Sequence, residues 1–179
     1  LTHIDFGALA TVSDAKFKEL HGLSTMEWSS LTEVSGELQI EECSSLSSIA
    51  MPNLVRAGEV KFEELSSLVS LELPALVELV DEMELEHMGS LTSVSFPLLT
   101  TVGDGLGLKE CYVLERFSAP QLTTVGDHGV YFETTPLMGA AEAMCGGSCD
   151  TLMSAGCSLR SEELLDRVWH ENQHLEDWT

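Results

Sequence analysis

The stretch Leu91-Thr92-Ser93-Val94-Ser95-Phe96-Pro97-Leu98-Leu99-Thr100-Thr101-Val102-Gly103 decides the fold. Its apolar positions, Leu91, Val94, Phe96, Leu99 and Val102, continue through Leu106, Leu108 and Cys111, and the pattern recurs upstream. Residues 23–43 give Leu23, Met26, Trp28, Leu31, Val34, Leu38, Ile40 and Cys43. Residues 68–88 give Leu68, Leu71, Leu73, Leu76, Leu79, Met83, Leu85 and Met88. Counted from the leading leucine, turns start at Leu1, Leu23, Leu46, Leu68, Leu91 and Leu114, and the last closes at Leu137, with intervals of 22 or 23 residues. Self-similarity at a fixed short period means stacked units, each unable to bury its apolar face alone.

Punctuation fits that reading. Pro52, Pro74, Pro97 and Pro120 fall just after an apolar–x–apolar triplet, and Pro136 closes the last turn. Proline fixes φ and donates no hydrogen bond, so it suits a strand exit. Gly36, Gly58, Gly103 and Gly126 recur about a dozen residues into their turns, where a bend needs a permissive backbone. Each turn holds two short alternating pieces, such as Val94-Ser95-Phe96 and Leu106-Gly107-Leu108, and period-2 alternation reads as strand. Stacking like pieces about 4.8 Å apart predicts two parallel sheets along a solenoid.

The run from Val34 to Leu46, Val34-Ser35-Gly36-Glu37-Leu38-Gln39-Ile40-Glu41-Glu42-Cys43-Ser44-Ser45-Leu46, resembles a turn of the receptor L-domain family. The run Leu91 to Gly103 is similar to BspA-like leucine-rich repeats, although the chain lacks their regular Ala-Phe pair before the Cys position. The resemblance covers residues 1–136 and implies a right-handed leucine-rich-repeat-type β-solenoid of six turns. It also implies adhesion, receptor binding or scaffolding, without choosing among them.

Composition narrows the partners. Thirty acidic against eight basic residues leave a formal charge of −22, which repels nucleic acid and anionic membrane surfaces and favours basic partners or cations. No apolar run reaches the roughly 18 residues of a membrane helix. The chain starts without Met and in mid-pattern, so a cut N-terminal edge is the expectation.

Residues 137–179 break the repeat and predict a cap. Cys145, Cys149 and Cys157 lie there in a Gly/Ser-rich stretch, with three outcomes open: one disulfide plus a free thiol, three reduced thiols, or a zinc site completed by histidine. The disulfide leads, and with it an extracellular, cell-surface or organelle-lumen location. Cys43 and Cys111, at one place in turns two and five, read as core thiols too far apart to bridge. A helix is predicted over about 161–177, its face of Leu164, Leu165, Val168, Trp169, Leu175 and Trp178 covering the last rung.

Within that helix, His170-Glu171-Asn172-Gln173-His174 matches the HExxH zinc-protease pattern. Both histidines project away from the apolar stripe, and only five residues follow, leaving no room for a third ligand. It is therefore read as a solvated face, with metal binding or metallopeptidase activity a distant alternative. No catalytic residue, cofactor or metal site is assigned. A hydroxyl column (Thr2, Ser24, Ser47, Thr92) is broken at Val69 and Glu115. The candidate interaction strip is a carboxylate ladder just before the Leu/Cys column: Glu19, Glu41, Glu42, Glu63, Glu64, Glu86, Glu110 and Glu133, relieved only by Lys18 and Lys109. The reading is a non-catalytic module binding a basic protein or a glycan, or else a permanent subunit of a larger assembly.

Overall fold

A computed structural model describes residues 1–133. Among them the chain is a β-solenoid of about six turns in which every strand pair is parallel, and no helix occurs. One side carries three-residue strands in two separate sheets: His3–Asp5, Thr25–Glu27 and Ser48–Ala50, then Ser70–Glu72, Ser93–Ser95 and Arg116–Ser118. The other side is one ten-stranded sheet. Its main strands are Ala15–Lys18, Glu33–Glu41, Arg56–Glu63, Met83–Glu86, Gly105–Lys109 and Gly129–Glu133. Two-residue strands such as Thr101–Val102 extend it, a third element per turn that alternation had not shown because two residues define no period.

The apolar columns form the core. Leu31, Leu54, Leu76 and Leu99 are fully buried, and each closes a turn by donating its N–H to Trp28, Met51, Leu73 and Phe96 respectively. The proline column falls at the second place of these turns, where a fixed φ is favoured. At the first rung Phe6, Phe17 and Trp28 pack with centroids 5.2–5.8 Å apart; farther along, Phe96, Phe117 and Phe132 stack edge to face at 5.7–6.0 Å. Aromatic pairs in such geometry add about 0.5–1.5 kcal/mol beyond their burial.

The alternation between 22 and 23 residues is confined to one corner. From each leading leucine to the end of the tight strand the distance is constant (Leu23 to Val34, Leu91 to Val102), as it is in the first five turns from the long strand to the next leading leucine (Leu38 to Leu46, Leu106 to Leu114). Between them lie two residues after Val12 and Ala57, three after Val34, Leu79 and Val102, and four after Val125. Register survives on both sides: Val34 pairs with Ala57 and Leu38 with Val60, the mismatch absorbed between Val34 and Glu37. The corner glycines answer a steric demand and not a left-handed φ. A Cβ on Gly103 would lie 1.8 Å from the Val80 carbonyl oxygen, and one on Gly126 2.0 Å from that of Gly103.

The hydroxyl column turns inward to the backbone. Ser24, Ser47 and Thr92 each donate to a carbonyl one turn back, at 2.7, 3.2 and 3.1 Å. These protons brace neighbouring turns.

Candidate functional site

The predicted carboxylate ladder resolves into two columns with different backbones. The first lies at the ends of the long strands, in continuous register: Lys18, Glu41, Glu63, Glu86, Lys109, Glu133. The second is the next residue in each turn, and all five members are left-handed: Glu19, Glu42, Glu64, His87 and Glu110, with φ of 50–57°. A left-handed conformation costs an ordinary L-residue roughly 1–2 kcal/mol. It is held because each N–H continues the ladder, as from Glu42 to the Glu63 carbonyl at 3.1 Å and from His87 to that of Lys109 at 3.1 Å. The chain then bends into the turn that buries Cys43, Leu65, Met88 and Cys111.

The two columns differ electrostatically. Glu41, a member of the predicted interaction strip, is only 8% exposed. Lys18 lies 2.7 Å from it, Lys61 3.9 Å, and the Gln39 amide donates to it. The Lys18 hydrogen bond first, then charge from Lys18 and Lys61 and the Gln39 bond, hold its carboxyl below the usual range against the opposing effect of burial. Lys61 also pairs with Glu63 at 3.3 Å, and Lys109 reaches back to Glu84. Three lysines, not two, therefore relieve the strand-end column. Lys61 was missed because it sits one place nearer the corner in the outward row. In the left-handed column, by contrast, Glu42 and Glu64 have no ion-pair partner among the described residues. They line an open groove of about 340 Å³ with His21, Ser44, Ser66 and His87.

His87 stands where other turns carry glutamate. Its Nδ1 lies 3.5 Å from Glu86 Oε1, its Nε2 3.2 Å from Glu110 Oε2. The Nδ1 atom is buried with no hydrogen-bond partner among the described residues. Glu63, Glu86 and His87 bring one donor atom each within 4.8 Å of one another, the one such group among the described residues. Strand neighbours normally point to opposite faces, and the left-handed turn at His87 brings it beside Glu86.

Of the other predicted residues, Glu19 and Glu110 occupy the left-handed column and Glu133 ends the strand column. Cys43 and Cys111 are free, buried thiols, and burial, ahead of smaller effects, pushes the Cys111 pKa up to about 11. Cys145, Cys149 and Cys157, the helix over 161–177 and His170 to His174 lie outside the described residues. No helix among the described residues is long and apolar enough to cross a membrane. Comparisons with protein-family models, curated proteins and solved structures return no match.

Proposed function

We propose that this chain is a non-catalytic interaction module that docks a basic protein segment along its left-handed acidic edge. The observation that carries the reading is the pair Glu42 and Glu64: adjacent rungs, one open groove, and no ion-pair partner for either among the described residues. Like charges about 4.8 Å apart repel, so a lysine or arginine entering between them relieves strain as it binds. The Ser44 and Ser66 hydroxyls on the same groove offer a guanidinium further acceptors. Exposed pairs are worth about 0.2–1 kcal/mol each, so binding must use several rungs and weaken with salt. The resemblance of residues 34–46 to a receptor L-domain turn supports a recognition role, and an extracellular, cell-surface or lumenal site belongs to the same proposal.

The test is interferometry with an immobilised Lys-rich octapeptide at low salt, in chelator. Glu42→Gln/Glu64→Gln should weaken binding about fivefold or more. Glu72→Gln/Glu115→Gln, which removes the same charge from exposed positions on the short-strand side and the turn before it, should change it less than twofold. Equal losses would show a response to net charge alone and end the reading.

A second reading, a permanent subunit of a larger assembly, is favoured by exposed Val55 and Val77, which lie on adjacent turns with the Val77 N–H bonded to the Val55 carbonyl. Sedimentation velocity separates the two: a module is monomeric alone, whereas a subunit associates through that patch, and Val77→Thr abolishes the association.

A further inference from the structure

We propose that Glu63, Glu86 and His87 form a binding site for a divalent first-row transition cation, with Zn²⁺ the favoured occupant. The inference rests on the His87 geometry and not on the docking reading above.

The distances carry it. Nδ1 of His87 and Oε1 of Glu86 are 3.5 Å apart, which is long for a hydrogen bond between nitrogen and oxygen. It matches the edge of a tetrahedron around a metal: ligands about 2.0–2.2 Å from zinc sit roughly 3.3–3.5 Å from each other. Nδ1 is buried with no hydrogen-bond partner among the described residues, so it stands free to serve as a ligand beside the carboxylate. The opposite ring nitrogen faces Glu110 at 3.2 Å. Glu63, whose donor lies within 4.8 Å of the other two, closes on the ion by side-chain rotation away from Lys61. Two oxygens and one imidazole nitrogen suit zinc or its neighbours better than calcium, which takes six to eight oxygens. Water completes the shell, since the site opens to solvent.

The sequence supplies the contrast. Other members of the left-handed column are Glu19, Glu42, Glu64 and Glu110, so within that column His87 alone adds a nitrogen donor among the described residues.

The experiment is titration of the chelator-stripped full chain with Co²⁺ alone, read by visible absorption, followed by displacement with Zn²⁺. One equivalent should bind with the intense bands of low-coordinate Co²⁺, be displaced by Zn²⁺, and survive excess Ca²⁺. Binding should persist in His170→Ala/His174→Ala, which removes the competing pair in the C-terminal segment. It should weaken at least tenfold in His87→Asn, a residue that tolerates the left-handed backbone, and in the isosteric Glu63→Gln. Thermal melts of both variants establish that they fold. Absence of stoichiometric binding, or binding unchanged in His87→Asn and Glu63→Gln, overturns the proposal. Neither result touches the octapeptide assay, which is run in chelator.

Discussion

Replacing Gly103 with alanine isolates what keeps adjacent turns together. The new Cβ would sit 1.8 Å from the Val80 carbonyl oxygen and 2.6 Å from its carbon, where an ordinary carbon–oxygen contact is about 3.3 Å or more. The obstacle is backbone, so the two turns must part by about 1.5 Å at the corner. Two hydrogen bonds flank the clash: Gly103 N–H to the Leu79 carbonyl at 2.9 Å, and Asp104 N–H to that of Asp81 at 3.1 Å. Each such hydrogen bond contributes about 0.5–1.5 kcal/mol, and alanine returns about 0.4–1 kcal/mol by stiffening the unfolded chain. The expected net loss is about 1–2 kcal/mol. Urea unfolding followed by circular dichroism reads it as a midpoint lowered by roughly 0.5–1 M for a slope near 2 kcal/mol/M. Gly89→Ala is the control, since its nearest neighbour would be the Ser66 Cβ at 4.0 Å, and it should change stability by less than about 1 kcal/mol. If Gly103→Ala loses no more than Gly89→Ala, the steric account of the corner glycines is wrong.

Other outcomes follow from the electrostatics and backbone. Burial first, then Glu37, Asp81 and Glu82, raise the Glu59 carboxyl pKa, so its charge opposes folding at neutral pH. Glu59→Gln should therefore stabilise by about 0.5–1 kcal/mol at pH 7, and the gain should vanish as pH falls through the raised pKa of Glu59; a loss in urea melts would contradict this. The Cys111 thiol, raised to about 11, favours the neutral form in the fold. Its contribution is complete below the unfolded thiol pKa near 8.5–9 and fades as pH climbs toward 11, worth roughly 2–3 kcal/mol in all. Wild type should thus lose more stability between pH 8 and about 11 than Cys111→Ala; parallel curves would show that burial does not hold the thiol. At Glu64, φ of 55° makes asparagine welcome and valine costly. Glu64→Asn should match or exceed wild-type melting temperature while Glu64→Val falls below it, and the reverse order would deny the left-handed turn.

The repeat was legible because burial repeats: Leu31, Leu54, Leu76 and Leu99 are one residue type in one environment, and spacing alone aligns them. The left-handed column was not legible. Four of its five members are glutamate, which gives no sign of positive φ as glycine would, so Glu41 and Glu42 read as one edge although one is buried and paired and the other faces a groove. A usable signal did exist: the position always precedes the column of Leu20, half-buried, and the buried Cys43, Leu65, Met88 and Cys111, where the chain must turn sharply. The partners of Glu41 depend on Lys61, in register with Gln39 and thus diagonal to it across neighbouring turns, a relation that linear spacing shows only once register is known. His87 was not legible as a donor, because its proximity to Glu86 comes from the left-handed turn, not from alternation.

The corner that absorbs every change in turn length makes this chain a natural display frame. Two, three or four residues already bridge the same pair of strands, and a shift such as that between Val34 and Glu37 leaves the register on either side in place. Enlarging such a bridge is inexpensive, since each doubling of a flexible loop adds only about 0.6 kcal/mol of closure entropy. A foreign peptide spliced between Asp127 and His128, past the tight approach at Gly126, would project from the solenoid while the core beneath stayed as it is. The same latitude lets the turns of this one chain differ in length while their buried leucines keep their seats.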